Sequence, residues 1–323
     1  MSQTLFRIYQ GAGQFSRVAA AIAVLLFAGL QIANIEISIS AQVVLAVIAL
    51  AIGIPHGAID HLITIPRDST RRFTAFIAIY TLIAIIAALA IAQWNLIGFQ
   101  VVVLMSALHF GFGDSAYANE SRAAAEKNGY SSFLLASYAI PAGFLPVVLP
   151  LTDKRTLDVL QELNPTLINW AGTFTELLRN STLTIALLAI LLLITTRNNL
   201  LALDLVLLLA LSFLAPPLVA FAVYFGFWHA IRHTARLVPK LPSALQKVST
   251  GNPLASFFAA VAPGLYAILG IFLLGIFFVA RGTTNLSSDF LWVILVIIWA
   301  LTVPHMATTA KFDLRAFKSS LRP

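Results

Sequence analysis

The chain has 323 residues, 59% of them hydrophobic and only 10% charged, with a formal net charge of +7; soluble domains carry about 25% charged residues. With a mean hydropathy of +0.91, this is the composition of an integral membrane protein. No cysteine is present, which excludes disulfides, zinc fingers, iron–sulfur clusters and thiol catalysis. The cations fall between apolar segments and form no patch of the kind nucleic acid requires, so nucleic acid is not an expected partner.

Apolar stretches of about 17 to 25 residues bounded by charges or turn residues read as membrane spans. In chain order they cover 17–35, 40–63, 73–93, 96–117, 131–150, 182–196, 199–215, 217–238, 254–280 and 290–310. The expected fold is an all-α, polytopic transmembrane helix bundle, a single domain over 1–323 with about ten spans, the range being eight to ten, and with 182–196 and 199–215 as a weak pair open to merging. Arg7 and Arg17 give the first stretch the look of a signal peptide, but no small-residue cleavage site and soluble domain follow, so it reads as a span. With both termini in the cytoplasm, sixteen basic residues fall inside, among them Arg17, Arg67, Arg232, Arg236 and Arg322, and four outside: Lys154, Arg155, Arg179 and Arg281. The long outside connection, 151–181, sets Leu157, Leu160, Leu163 and Leu167 beside Asp153, Asp158 and Glu162. That pattern predicts an amphipathic helix lying on the membrane surface.

All six histidines fall in four of these spans. His56 and His61 belong to PHGAIDH, His109 and Asp114 to HFGFGD, His229 and His233 to WHAIRH, and His305 follows Pro304. On the expected topology the four spans run the same way, so their histidines meet in one layer of the cytoplasmic half. Ionisable groups inside a membrane are costly and mark sites. Without thiols a metal has to be held by nitrogen or oxygen; neutral imidazole suits iron, zinc, copper or nickel, and a helix bundle can converge several rings on one ion. His229 and His233, four apart, share a helix face, a recurrent metal-binding spacing. Asp60 follows His56 by four residues and Asp114 follows His109 by five. Either aspartate is placed to accept the second ring N–H of a histidine ligand, or to ligate directly. His61 faces away from His56 by helical phase, and His305 stands as a ligand, a support behind the ligands or a pocket wall. Against this, a single histidine in a span more often bonds a neighbouring carbonyl.

Pro55 and Pro304 kink the helices that carry histidines, and Gly53, Gly57, Gly111, Gly113 and Gly226 allow close approach of a backbone or a ligand. Phe110, Phe112, Tyr224, Phe225, Phe227 and Trp228 interleave with the histidines. They are candidates to line a tunnel for a long, planar, apolar substrate, with ordinary packing as the competing reading.

PHGAIDH, HFGFGD, WHAIRH and the late VPHM, in this order from His56 to His305, resemble the Brp/Blh family of membrane-embedded β-carotene 15,15′-dioxygenases of bacteria and archaea that make retinal for rhodopsins. The resemblance implies a multi-pass protein of the plasma membrane holding one ferrous iron, Fe(2+), through His56, His109, His229 and His233. It further implies cleavage of the central double bond of a carotenoid drawn from the bilayer, with O2, to give retinal, and a functional link to a retinal-binding rhodopsin. His61 is not among the ligands carried over, and the span before PHGAIDH and the 151–181 connection take no role from the family. A diiron hydroxylase or desaturase would need more histidine boxes than the one HxxxH present here. A haem protein or a non-enzymatic carotenoid binder would use the same histidines as axial ligands or as a binding wall.

Overall fold

Lipid offers no hydrogen bonds, so long runs of Ala, Leu, Ile and Val have to satisfy their backbone internally, and helices do so. The computed structural model describes residues 2–65, 69–282 and 286–319; Arg67 and Arg322, counted above as inside charges, lie outside them. The described chain is helical throughout: α1 (Ser2–Ile32), α2 (Ile39–Gly57), α3 (Asp60–Thr64), α4 (Thr70–Gln93), α5 (Asn95–Ala124), α6 (Ser132–Leu151), α7 (Thr156–Leu163), α8 (Thr175–Thr195), α9 (Asn199–Leu214), α10 (Pro217–Ala222), α11 (Ala230–Leu237), α12 (Pro242–Ser249), α13 (Pro253–Val261), α14 (Leu265–Gly282) and α15 (Leu286–Ser319). Side-chain oxygens of Ser38, Ser69, Ser131 and Asn252 accept from backbone N–H groups three residues on and start α2, α4, α6 and α13.

Among the described residues, eight helical segments are long and apolar enough to cross a membrane: Gln3–Ile32, Ile39–Thr64, Thr70–Gln93, Asn95–Ala124, Ser132–Leu151, Gly172–Thr195, Pro253–Arg281 and Phe290–Ala310. The expected 182–196 span is the second half of one of them. The expected 199–215 span is α9, whose 16 residues rise about 24 Å, short of a hydrocarbon core of about 30 Å. The 217–238 stretch is divided into α10, a π-helical segment Val223–His229 and α11. It runs among α1, α2, α5 and α6, and Tyr224, Trp228, His229 and Arg232 are buried there. Protein, not lipid, surrounds it.

The tightest seam joins α5 to α6. A Cβ on Gly111 would lie 2.0 Å from the Ala139 carbonyl oxygen, and one on Gly143 would lie 1.8 Å from that of Ala107. Only glycine lets the two backbones meet, and close van der Waals contact is what holds membrane helices together.

Three cations counted as loop charges are internal. Arg17 donates to Asp204 at 2.6 Å, and Arg232 donates to the same carboxylate at 3.1 Å. Arg236 bridges Glu120 at 2.9 Å and Asp313 at 2.8 Å. The buried guanidinia of Arg232 and Arg236 are tolerated because carboxylates stand against them, Asp204 and Asp313 buried and Glu120 partly so. The 151–181 connection packs partly on the bundle. Its helix, α7, has only 8 residues, and Val159, Leu160, Leu167 and Trp170 are buried in the protein. Trp170 donates its indole N–H to the Leu151 carbonyl, and Gln100 donates to that of Trp170. Leu160 and Leu167 of its apolar face pack on the bundle, while Leu157 is 43% exposed.

Candidate functional site

Each histidine of the site is set by a local feature of its helix. His56 ends α2 immediately after Pro55, and its Nδ1–H donates to the Gly53 carbonyl. That bond leaves Nε2 with the lone pair. Gly53 is obligatory, since a Cβ there would lie 2.0 Å from the Phe225 ring. His109 projects from the middle of α5, and His305 from α15 after its internal Pro304. His229 closes the π segment and His233 lies one turn into α11. Such wider i→i+5 turns inside helices are frequent at functional sites.

Five of the six rings gather in the interior, where His56, His109, His229, His233 and His305 are 1–7% exposed. Between ring centres, His56–His229, His229–His109, His109–His305 and His305–His56 measure 5.4, 5.3, 5.2 and 5.5 Å and close a four-sided figure. His233 stands over it, 5.1 Å from His56, 5.6 Å from His305, 5.7 Å from His229 and 6.4 Å from His109. No ring contact crosses from His56 to His109 or from His229 to His305. The figure is therefore a four-sided pyramid with His233 at its apex.

Its nitrogens lack partners. Nε2 of His109 and His305, and both ring nitrogens of His229 and His233, are buried without a hydrogen bond, a costly state for a polar group. Imidazoles sharing one ion, with a metal–nitrogen bond of about 2.1 Å and the ring centre roughly 1.2 Å beyond, have centres about 4.7–5.4 Å apart. Three basal edges fall at the upper end of that range, and the fourth, His56–His305, at 5.5 Å, just beyond it. Among the described residues no three His, Asp or Glu donors are closed around a point as an ion would need. Centre spacing does not depend on how each ring is turned, and the rings as placed do not close on one point; their buried, partnerless nitrogens are donors of the kind a metal takes.

The aspartates stand elsewhere than their spacing predicts. Asp60 does not serve His56: α2 stops at Gly57, the chain turns, and Asp60 opens α3 facing α15. It takes the Nδ1–H of His305 at 3.0 and 2.9 Å to its two oxygens. Asp114, five residues after His109, is turned about 140° round α5 from it. It accepts from the Tyr224 hydroxyl at 3.1 Å and the Trp228 indole at 3.0 Å. His61 packs on Phe73 at 5.8 Å and meets none of the five rings.

An apolar cavity of about 330 Å³ opens beside the pyramid, reaching His56, His109 and His305 but not His233. Phe110 and Phe225 line it, as expected of them; Phe112, Tyr224, Phe227 and Trp228 do not. Tyr224 and Trp228 are turned to Asp114, Phe227 meets Phe15 at 6.4 Å, and Phe112 is 38% exposed. Further walls come from Phe76, Ile77 and Tyr80 of α4, Ala267 and Ile271 of α14 and Leu301 of α15, and His61 and Asp60 line the cavity as well. Sequence reasoning passed over Tyr80; its signal was being the only tyrosine within the very apolar stretch 73–93. A second cavity of about 100 Å³ follows along α5 and α15, between Phe99, Ser106, Leu295 and Trp299. Phe221 lines it and stacks on Phe225 at 5.9 Å, while Phe110 meets Phe225 at 6.0 Å. These rings divide the two chambers.

The model of the family described as β-carotene 15,15′-dioxygenase matches residues 47–313, a stretch that holds every histidine of the site. The chain is 29% identical over 263 residues, 79% of its length and 88% of the relative's, to the β-carotene 15,15′-dioxygenase of an uncultured marine bacterium, 66A03. It is 35% identical over 104 residues, 31% of its length and 30% of the relative's, to the probable β-carotene 15,15′-dioxygenase Blh of Halobacterium salinarum. No solved structure matches the chain. A polytopic helix bundle, a histidine cluster inside the matched stretch and a match of this length converge on one conclusion: the chain belongs to the β-carotene 15,15′-dioxygenase family.

Proposed function

We propose that the protein cleaves the central double bond of β-carotene, or a closely related carotenoid, with O2 to give retinal, at one Fe(2+) held by His56, His109, His229 and His233. The observation that carries this reading is the junction of partnerless, buried imidazoles with an apolar cavity of about 330 Å³. The names of both relatives support the same reaction.

Iron, when bound, would supply the activation of O2 that a hydrocarbon double bond needs and that no side chain provides. The residues do the rest. The Nδ1–H of His56 on Gly53 fixes its tautomer and presents Nε2 to the site. Phe110 and Phe225 form a wall against which a flat polyene can be held in register. Apolar walls exclude water from the reacting bond. Addition of one O2 across one C=C, with scission of that bond, yields two aldehydes and needs no external proton. Two chambers in line along α5 and α15 suit an elongated molecule: from Leu295 to His305 the helix rises about 15 Å. A substrate this apolar resides in the bilayer, which suits an enzyme of the plasma membrane that takes the carotenoid in laterally. Its aldehyde product would be consumed by a retinal-binding rhodopsin.

Expression in cells that accumulate β-carotene tests the reading. Loss of orange colour with retinal in the extract is expected, and His229→Ala should restore the colour. Unchanged pigment in cells whose membranes contain the wild-type protein would contradict it.

A further inference from the structure

His305 lies outside the four-histidine set, yet it has the surroundings of a ligand. Its ring is 5.2 Å from that of His109 and 5.5 Å from that of His56, and without it the base of the pyramid has three corners. Its two nitrogens have opposite fates. Nδ1–H is held by both oxygens of Asp60, at 3.0 and 2.9 Å, while Nε2 is buried with no partner. A histidine buried only for structure would satisfy both. One ring nitrogen on a carboxylate and the other free towards neighbouring imidazoles is the arrangement of a metal-binding histidine.

The support continues outward. Asp60 is itself buried and receives the Tyr80 hydroxyl at 3.1 Å. Thr308 and Thr309 donate to the His305 carbonyl at 2.7 and 3.1 Å, which holds that turn of α15. The cavity touches His305, His56 and His109 and misses the apex, His233, so His305 stands on the face that substrate approaches.

We propose that His305 is a fifth imidazole of the metal site, with Asp60 and Tyr80 as positioning residues that fix its tautomer and aim. The proposal rests on the metal reading given above. It predicts that the affinity of the site and the electronic spectrum of the bound ion both depend on residues of α3, α4 and α15 that the four-histidine set does not include.

Cobalt(II) loading of the purified full-length protein, followed by visible absorption and equilibrium titration, tests it. Wild type should bind one Co(II) per chain. His305→Gly should weaken binding by roughly 10- to 100-fold and shift the absorption, and Asp60→Asn should fall between the two. Added imidazole should restore the wild-type spectrum of His305→Gly and leave wild type unchanged. If His305→Gly does not fold, His305→Gln and Asp60→Asn carry the same measurement. A folded His305 variant with wild-type affinity and spectrum overturns the fifth ligand while leaving the metal centre intact. Failure of wild type to bind any metal overturns the metal reading, and this proposal with it.

Discussion

The helix that runs from the π segment into α11 carries two kinds of buried polar group within eight residues. Arg232 and Arg236 are 1 and 2% exposed, and each is paired with a carboxylate. Arg232 reaches Asp204, Ser16 and Tyr138 and lies 3.8 Å from the centre of the Trp228 ring. Arg236 takes both oxygens of Glu120 and one of Asp313. His229 and His233, on the same turns, are as deeply buried and have no hydrogen bond at any ring nitrogen. The arginines are held by carboxylates as folded, with Nη2 of Arg232 left over; the histidines beside them are satisfied at no ring nitrogen. Stability is therefore expected to reside in the arginines and reactivity in the histidines.

Breaking the arginine side should have the largest effect. Asp204→Ala leaves Arg17 and Arg232 without their carboxylate; it should cost about 3–5 kcal/mol and remove folded protein from detergent extracts, read by size-exclusion chromatography. Combining Asp204→Leu with Arg17→Met and Arg232→Met should recover much of that loss, because apolar replacement of a buried ion network is often neutral. Next, His233→Ala should leave the thermal midpoint of the metal-free protein within a few degrees of wild type while abolishing stoichiometric metal, read by elemental analysis. Gly53→Ala drives a methyl group into Phe225 and should cost about 1–3 kcal/mol of packing. Retinal yield should fall roughly tenfold, with metal content retained. The smallest effect is expected of Phe221→Ala, which opens the partition between the chambers. Chromatography should show a several-fold change in preference among carotenoids of different length and little change in stability.

The same helix shows what sequence can convey. Apolar run length and the HxxxH spacing are local properties, so the helical class and the pairing of His229 with His233 were legible. The eight crossing segments lie at the low end of the expected range because α9 is short and 217–238 lies inside the bundle. Burial of Arg232 was not legible, since its counter-ion sits 28 residues away on another helix, and that of Arg236 lies 116 residues away in Glu120. No residue pattern announces an i→i+5 turn. Asp60 was matched to His56 on the premise of an unbroken helix; the stop at Gly57 redirected it to His305, 245 residues on. Local spacing thus found the imidazoles on each helix, and only packing between helices showed which carboxylate stands behind which ring.

The most direct test of the central claim is the iron content of the purified protein, measured per chain by mass spectrometry on wild type and on His229→Ala. The account predicts one iron in wild type and none in the variant, with both remaining folded. An active wild type without stoichiometric metal, or a variant that keeps its full complement, would contradict it.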